Sequence, residues 1–226
     1  MIVSPPPSMK RAPTDDRRAA IARAARALIV EKGVEGLRTR DIADRVGINI
    51  ATLHYHVPTK EALIELVAES LRNDFVQQSV ERPRAHLSAE QRLDLEFVDV
   101  HEMTLVKPDT MLVFSELLER GRRDETIAAA VRPMKHYWRH LIVDLLTQGV
   151  TDGVYRPDID PEAMAMLMIS SFVGFCRNPD RDQSRFDRMV GEIKRAIRNP
   201  ALDAPGVNLS NPAQTERLLG GPVLKE

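Results

Sequence analysis

Cysteine is almost missing. The 226-residue chain has one, Cys176, which excludes an internal disulfide and any cysteine-rich zinc site. Aromatic residues make up only 4 %. Long apolar runs are also absent. The longest uncharged internal run, Ala163 to Cys176, falls well short of the ~20 residues of a membrane span. Prolines 5–7 stand where a secretory signal would need its apolar core. The expectation is a soluble, cytoplasmic chain with no membrane partner. Catalytic signatures are missing as well: no glycine-rich phosphate loop follows a strand, and there is no nucleophile elbow or zinc-protease helix. Neither an enzyme nor a cofactor is expected.

What is there is helical periodicity. Apolar residues recur at i, i+3, i+4 spacing along most of the chain, and no strand pattern persists. The fold class expected is all-α, with about nine helices. Residues 1–13 read as a disordered arm, whose Lys10 and Arg11 read first as a solvated tail. A helix runs from Thr14, and its Arg17, Arg18, Arg23 and Arg26 read as mainly solvated. Later helices are expected at about 59–81, 88–106, 108–120, 124–151, 160–176 and 182–198. Residues 199–226 read as a tail. Pro133 either kinks the long helix or marks its start, and Gly149 with Gly153 is expected to end it. Charge is split. Residues 1–60 hold 11 Lys+Arg against 6 Asp+Glu, whereas 61–226 hold 21 against 27. A basic front on an acidic body suits a phosphate-binding head on a trunk that stays off phosphate.

Within the front, Leu37 to Lys60 (LRTRDIADRVGINIATLHYHVPTK) carries the sharpest pattern. Ile42, Ala43 and Val46 give a first helix an apolar face, with Thr39 as its expected cap. Gly47 stops it. Asn49 caps a second helix through Leu53, ended by Val57-Pro58. Helix, glycine turn, helix is the plan in which the second helix enters the DNA major groove. An ordinary helical hairpin has the same outline. The second helix, however, is crowded with hydrogen-bonding groups, Thr52, His54, Tyr55 and His56, where a solvated face would carry Glu and Lys. Phosphate contacts are expected from Arg38, Thr39, Arg40 and Lys60, with Tyr55 assisting. Base readout is expected from Asn49, Ile50, Ala51, Thr52, Tyr55 and His54, since Asn pairs with adenine edges and Ala or a Thr methyl touches thymine methyl.

The same stretch resembles the DNA-binding signature of the tetracycline-repressor (TetR) family: Ile42-Ala43, the Gly47 turn, then Leu53, His56, Lys60 and Leu63. His54 stands where the family usually has Tyr, and Val57 where it often has Phe. The resemblance covers Ala20 to Leu66. It implies a three-helix DNA-binding domain at 14–60 and a helical ligand-binding and dimerisation domain at 61–198, joined by the helix that starts near Thr59. It further implies a homodimer on a pseudo-palindromic double-stranded operator. Burial in one subunit's core and a partner surface are otherwise equal readings of the apolar run from Ala163. The resemblance favours an interface of Met164, Met168, Phe172, Phe175, Phe186, Met189 and Ile193.

A ligand cavity for an unknown small-molecule effector is expected among Phe97, His101, Met103, Met111, Phe114, Met134, Tyr137, Trp138, Leu141 and Tyr155, because methionine linings adapt to varied apolar ligands. Plain core packing is the competing reading for most of these singly. His136 and His140 share a helix face, but the carboxylates near them are poorly placed, and no metal site is expected. Two functions follow: a homodimeric repressor released from its operator by the effector, or a DNA-binding regulator whose body docks a protein and has no small-molecule site.

Overall fold

A computed structural model describes residues 13–203. The expected arm, with Lys10 and Arg11, and the tail beyond 203 lie outside the described residues. In chain order, α1 is Pro13–Lys32, α2 Thr39–Val46, α3 Ile50–His56, α4 Lys60–Glu81, α5 Ala89–His101, α6 Asp109–Gly121, α7 Glu125–Thr151, α8 Pro161–Arg177 and α9 Gln183–Ile197. A 3₁₀ turn, Val34–Gly36, links α1 to α2. A π-helical turn, Glu102–Val106, continues α5. No strand occurs among the described residues, so the chain is all-α as expected.

Local chemistry sets the helix ends. Gly47 closes α2 at φ 74°, a left-handed conformation that a Cβ would strain. Asn49 Oδ1 accepts from the Thr52 N–H at 2.7 Å and starts α3. Thr59 starts α4 through the Ala62 N–H at 3.1 Å. Asp124, Asp160 and Asp182 cap α7, α8 and α9 in the same way. Two expectations are corrected. Thr39 is the first residue of α2 rather than its cap; extended Arg38 takes that position without a side-chain bond. Gly149 lies inside α7 rather than at its end, and Gly153, at φ 73°, follows the last turn. Gly149 is there for space: a Cβ on it would overlap the Tyr155 ring. That ring is buried, and its hydroxyl donates to the Ala89 carbonyl at 3.3 Å. Pro133 does not interrupt α7.

Helices α1 to α3 form a compact head, with Ile21, Leu28, Ile42 and Leu53 fully buried among them. The apolar core runs on without interruption through α4 into the body. Two arginines of α1 are ties, not solvated groups as expected. Arg18 donates to the His56 carbonyl at 3.0 Å and so holds the end of α3. Arg26 donates to Ser70 at 3.3 Å and Thr110 at 2.6 Å and pairs with Asp74 at 2.8 Å.

Pro83 prevents α4 from continuing, and the arginines beside it turn inward. Arg82 and Arg84 both grip the buried Asp99 carboxylate. Arg84 also donates to buried Glu96 at 3.0 Å, whose other oxygen accepts from the Trp138 indole at 2.7 Å. Arg82 reaches Glu102 at 2.6 Å, which Lys107 meets at 2.9 Å. Two buried carboxylates are tolerable because each has charged or hydrogen-bonded partners.

Two predictions follow from this packing. Gly149→Ala should lower unfolding free energy by about 1–3 kcal/mol, as overpacking does, read by denaturant titration; unchanged stability would mean Tyr155 gives way freely. Bonds from Lys107 first, then Arg82, hold the Glu102 carboxyl at about 2 against its burial. A depressed folded-state pKa stabilises above the unfolded value of ~4.3 and is lost as pH falls towards 2. Glu102→Gln should therefore cost about 1–2 kcal/mol at pH 7, and its gap to the parent chain should close between about pH 4 and pH 2.

Candidate nucleic-acid interface

The short helix α3 has two unlike sides. Leu53 and the following Val57 are buried in the head. Ile50, Ala51, His54 and Tyr55 point outward, and Thr52 and His56 lie half-buried at the margins. Tyr55 has 81 % of its surface exposed, the most of any large side chain of its kind in the described residues. Its ring meets the His56 ring edge-on at 5.2 Å. Asn49 is exposed, but its Oδ1 is already committed to the cap, which leaves the amide nitrogen as its outward donor.

Around this helix the structure gathers the other sequence candidates at helix starts. Arg38, Thr39 and Arg40 are exposed at the N-terminus of α2, and Lys60 at that of α4. Helix N-termini present unpaired N–H groups and a positive dipole, both suited to phosphate. Two further cations nearby are committed elsewhere. Arg45 forms a two-pronged pair with Glu31 at 2.8 and 2.9 Å, and Lys32 meets Asp41 at 2.7 Å. Both carboxyls lie below their ordinary range because of these partners, and both pairs fasten α2 to the end of α1.

The body candidates divide. Met103, Met111, Phe114, Met134, Trp138, Phe97 and Tyr155 are buried, and Leu141 and His101 half-buried. Trp138 is the centre of an aromatic cluster, stacked on Phe172 at 6.0 Å with Phe75 and Phe114 at 6.1 and 6.2 Å. These side chains fill the space between them. Tyr155 is not among them; it packs under the α7–α8 turn. Tyr137 is a correction: it is 48 % exposed, because its place on α7 turns it away from buried Met134 and Trp138. Phe97 and His101 instead line an open groove of about 440 Å³ between α5 and α9, where His101 Nε2 lies 2.6 Å from Gln183.

Three residues of the expected interface are corrected too. Met168 and Phe172 have 0 % exposure within the single chain, and Phe186 is also buried. On α8, Ala165, Met168, Phe172 and Cys176 share the inward stripe. Met164, Phe175, Met189 and Ile193 lie partly covered against the core. The outward side of α8 carries Met166 and Leu167, 63 % and 58 % exposed, beside Ala163, Ser170 and Gly174. Cys176 is buried, which pushes its thiol up to about 11. His136 and His140 are joined by a bond from the His140 ring to the His136 carbonyl and by a tilted ring contact at 6.4 Å. No group of three or more metal-ligating side chains converges among the described residues. No helix among them is long and apolar enough to cross a membrane.

Comparison with known proteins fits this geometry. Residues 21–67, which hold most of α1, all of α2 and α3 and the start of α4, match the family of bacterial regulatory proteins, tetR family. The HTH-type transcriptional repressor KstR2 of Rhodococcus jostii is 24 % identical over 160 residues, 71 % of this chain and 78 % of the relative. A TetR-family regulator from Agrobacterium tumefaciens superposes with a TM-score of 0.72 at 19 % identity, covering 82 % of this chain and 99 % of its own. The structure of AibR in complex with isovaleryl coenzyme A and operator DNA superposes at 0.66 with 24 % identity, covering 78 % and 97 %. Residues 21–67 thus form a head of the bacterial regulatory proteins, tetR family, and the nine-helix fold of head and body together is one shared with TetR-family regulators.

Proposed function

We propose that the chain is a homodimeric, sequence-specific repressor that a small-molecule effector releases from its operator. Residues 14–60 form the DNA-binding head and 61–198 the effector and dimer body. The observation that carries the reading is the outward edge of α3, with Tyr55 bare to solvent and flanked by cationic helix starts at Arg38, Arg40 and Lys60. In this reading those three residues and Thr39 hold phosphate, and Ile50, Ala51, Thr52, His54 and Tyr55 face base edges. A helix of seven residues reads few base pairs, so a two-fold pair of heads on a pseudo-palindrome supplies the rest. The apolar outward side of α8 at Met166 and Leu167 is the surface suited to that pairing. The repressor name of a relative supports the sign of regulation. A similar fold solved with both a thioester ligand and operator DNA supports an effector site in the body.

The second reading, a body that docks a protein and takes no small molecule, has one observation in its favour. Phe75, Phe114, Trp138 and Phe172 already fill the middle of the body with one another. An effector there needs Trp138 or a neighbouring ring to move aside.

Duplexes selected from a random library by the full chain test the head. Tyr55→Ala should leave the melting temperature unchanged and weaken binding to the selected duplex about 5- to 150-fold, the equivalent of ~1–3 kcal/mol. Parental affinity in that variant would remove α3 from the readout. Met166→Asp with Leu167→Asp should halve the sedimenting mass, since it puts two charges on the proposed contact. An unchanged mass would move the interface off α8.

A further inference from the structure

The body as a whole is acidic, but one corner is not. Residues 119–140 hold six Lys+Arg against three Asp+Glu. The α6–α7 turn, Gly121-Arg122-Arg123-Asp124, is its tip. Arg122 and Arg123 are both exposed. Arg122 has only a loose contact with Glu119 at 3.6 Å, and Arg123 makes no side-chain hydrogen bond or ion pair among the described residues. The neighbouring Asp124 directs its hydrogen bonds to the first N–H groups of α7 rather than to either arginine. Behind the turn Arg122, Arg132, Lys135 and His136 line a groove of about 250 Å³.

This tip stands beside the helix starts that the proposed reading assigns to phosphate. Arg120, one turn earlier, pairs with Glu35 in the 3₁₀ turn that leads directly into Arg38-Thr39-Arg40. Glu116 packs so near the end of α1 that a Cβ on Gly33 would come within 3.2 Å of its carboxylate. On the other side Asp124 is close enough to the first turn of α4 for its charge to oppose the low pKa that Glu61 gains from its own N–H and from Thr59. The turn is therefore bracketed by the starts of α2 and α4, the two helix ends that carry Arg38, Arg40 and Lys60.

We propose that the α6–α7 turn is a second phosphate-binding element, in which Arg122 and Arg123, backed by Lys135, hold the DNA backbone outside the base pairs read by α3. The inference rests on the DNA-binding reading of the head. Exposed ion pairs of the Arg122–Glu119 kind are worth little and exchange readily for phosphate. A protein partner fits the turn less well, because no large apolar side chain is exposed between Leu118 and His136 to serve as an anchor, and exposed Tyr137 lies thirteen residues further along the chain than Asp124. The element would join body to DNA directly, so that a shift of α6 changes affinity without passing through α3.

The test uses the full chain, a selected duplex and the same duplex with longer flanks. Arg122→Ala with Arg123→Ala should make the plot of log affinity against log salt shallower by about 1.8 per chain, roughly a 60-fold loss at 0.1 M salt. The gain from longer flanks should vanish, and backbone protection in a hydroxyl-radical footprint should retract. Arg122→Lys with Arg123→Lys should restore the slope, and Arg195→Ala on α9 should leave it unchanged. A parental slope and flank dependence in the folded alanine variant would overturn the element while the head reading stands. Failure of the parent chain to bind any duplex would overturn both.

Discussion

The guanidinium of Arg26 meets three helices at once. It leaves α1 inside the head, donates to Ser70 and pairs with Asp74 on α4, and donates to Thr110 at the start of α6. Thr110 in turn donates to the same Asp74 at 3.0 Å. A mostly buried guanidinium left without these partners would carry an uncompensated charge costing several kcal/mol. Head and body therefore cannot slide past each other by small degrees. They hold this arrangement, or they move to another in which Arg26 is again satisfied. Arg18 extends the constraint to the reading helix through the His56 carbonyl. The angle of α3 is thus set from the body side as well as from the head's own core.

The charged corner after α4 fixes the other end of the same helix. Arg82 and Arg84 draw the chain against Asp99, Glu96 and Glu102, and Glu96 holds the Trp138 indole. The aromatic cluster and the connecting helix are consequently one mechanical unit. A ligand that displaces Trp138 disturbs a carboxylate that Arg84 holds, and Arg84 lies three residues beyond the end of α4. Such a ligand shifts the head only to the extent that it binds the displaced arrangement more tightly than the present one.

What the sequence made legible was local. Gly47, Asn49, Thr59, Asp160 and Pro161 each act within one turn of themselves, so their roles follow from residue type and position. The periodicity also sufficed for every helix. Features that depend on distant partners were not legible. Arg26 reads as one more surface arginine until Thr110 is brought beside it from 84 positions away. Gly149 reads as a helix stop because nothing in its neighbourhood announces the Tyr155 ring. Met168 and Phe172 were assigned outward because a run apolar on every side has no polar face to mark its phase. The outward residues of α3 were easier to pick out, because polar and aromatic groups on so short a helix have no core role to fill.

The length of α3 places a demand on everything else. Seven residues span about 10 Å, and a recognition helix contacts bases mainly through a few side chains. Asn49, the residue with the most specific pairing chemistry, has already committed its oxygen to the cap. In the proposed reading, polar discrimination then depends on Thr52, His54 and Tyr55, beside the apolar contacts of Ile50 and Ala51, and on holding them in register with the groove. Register comes from phosphate contacts on either side of the helix, and those contacts work only if their spacing is rigid. The Arg45–Glu31 and Lys32–Asp41 pairs fasten α2 to α1, and Arg18 fastens α3. The sparse reading edge and the heavily cross-tied frame are thus two sides of one arrangement, since a helix with so few base contacts can be selective only when its placement is fixed by groups that read no bases.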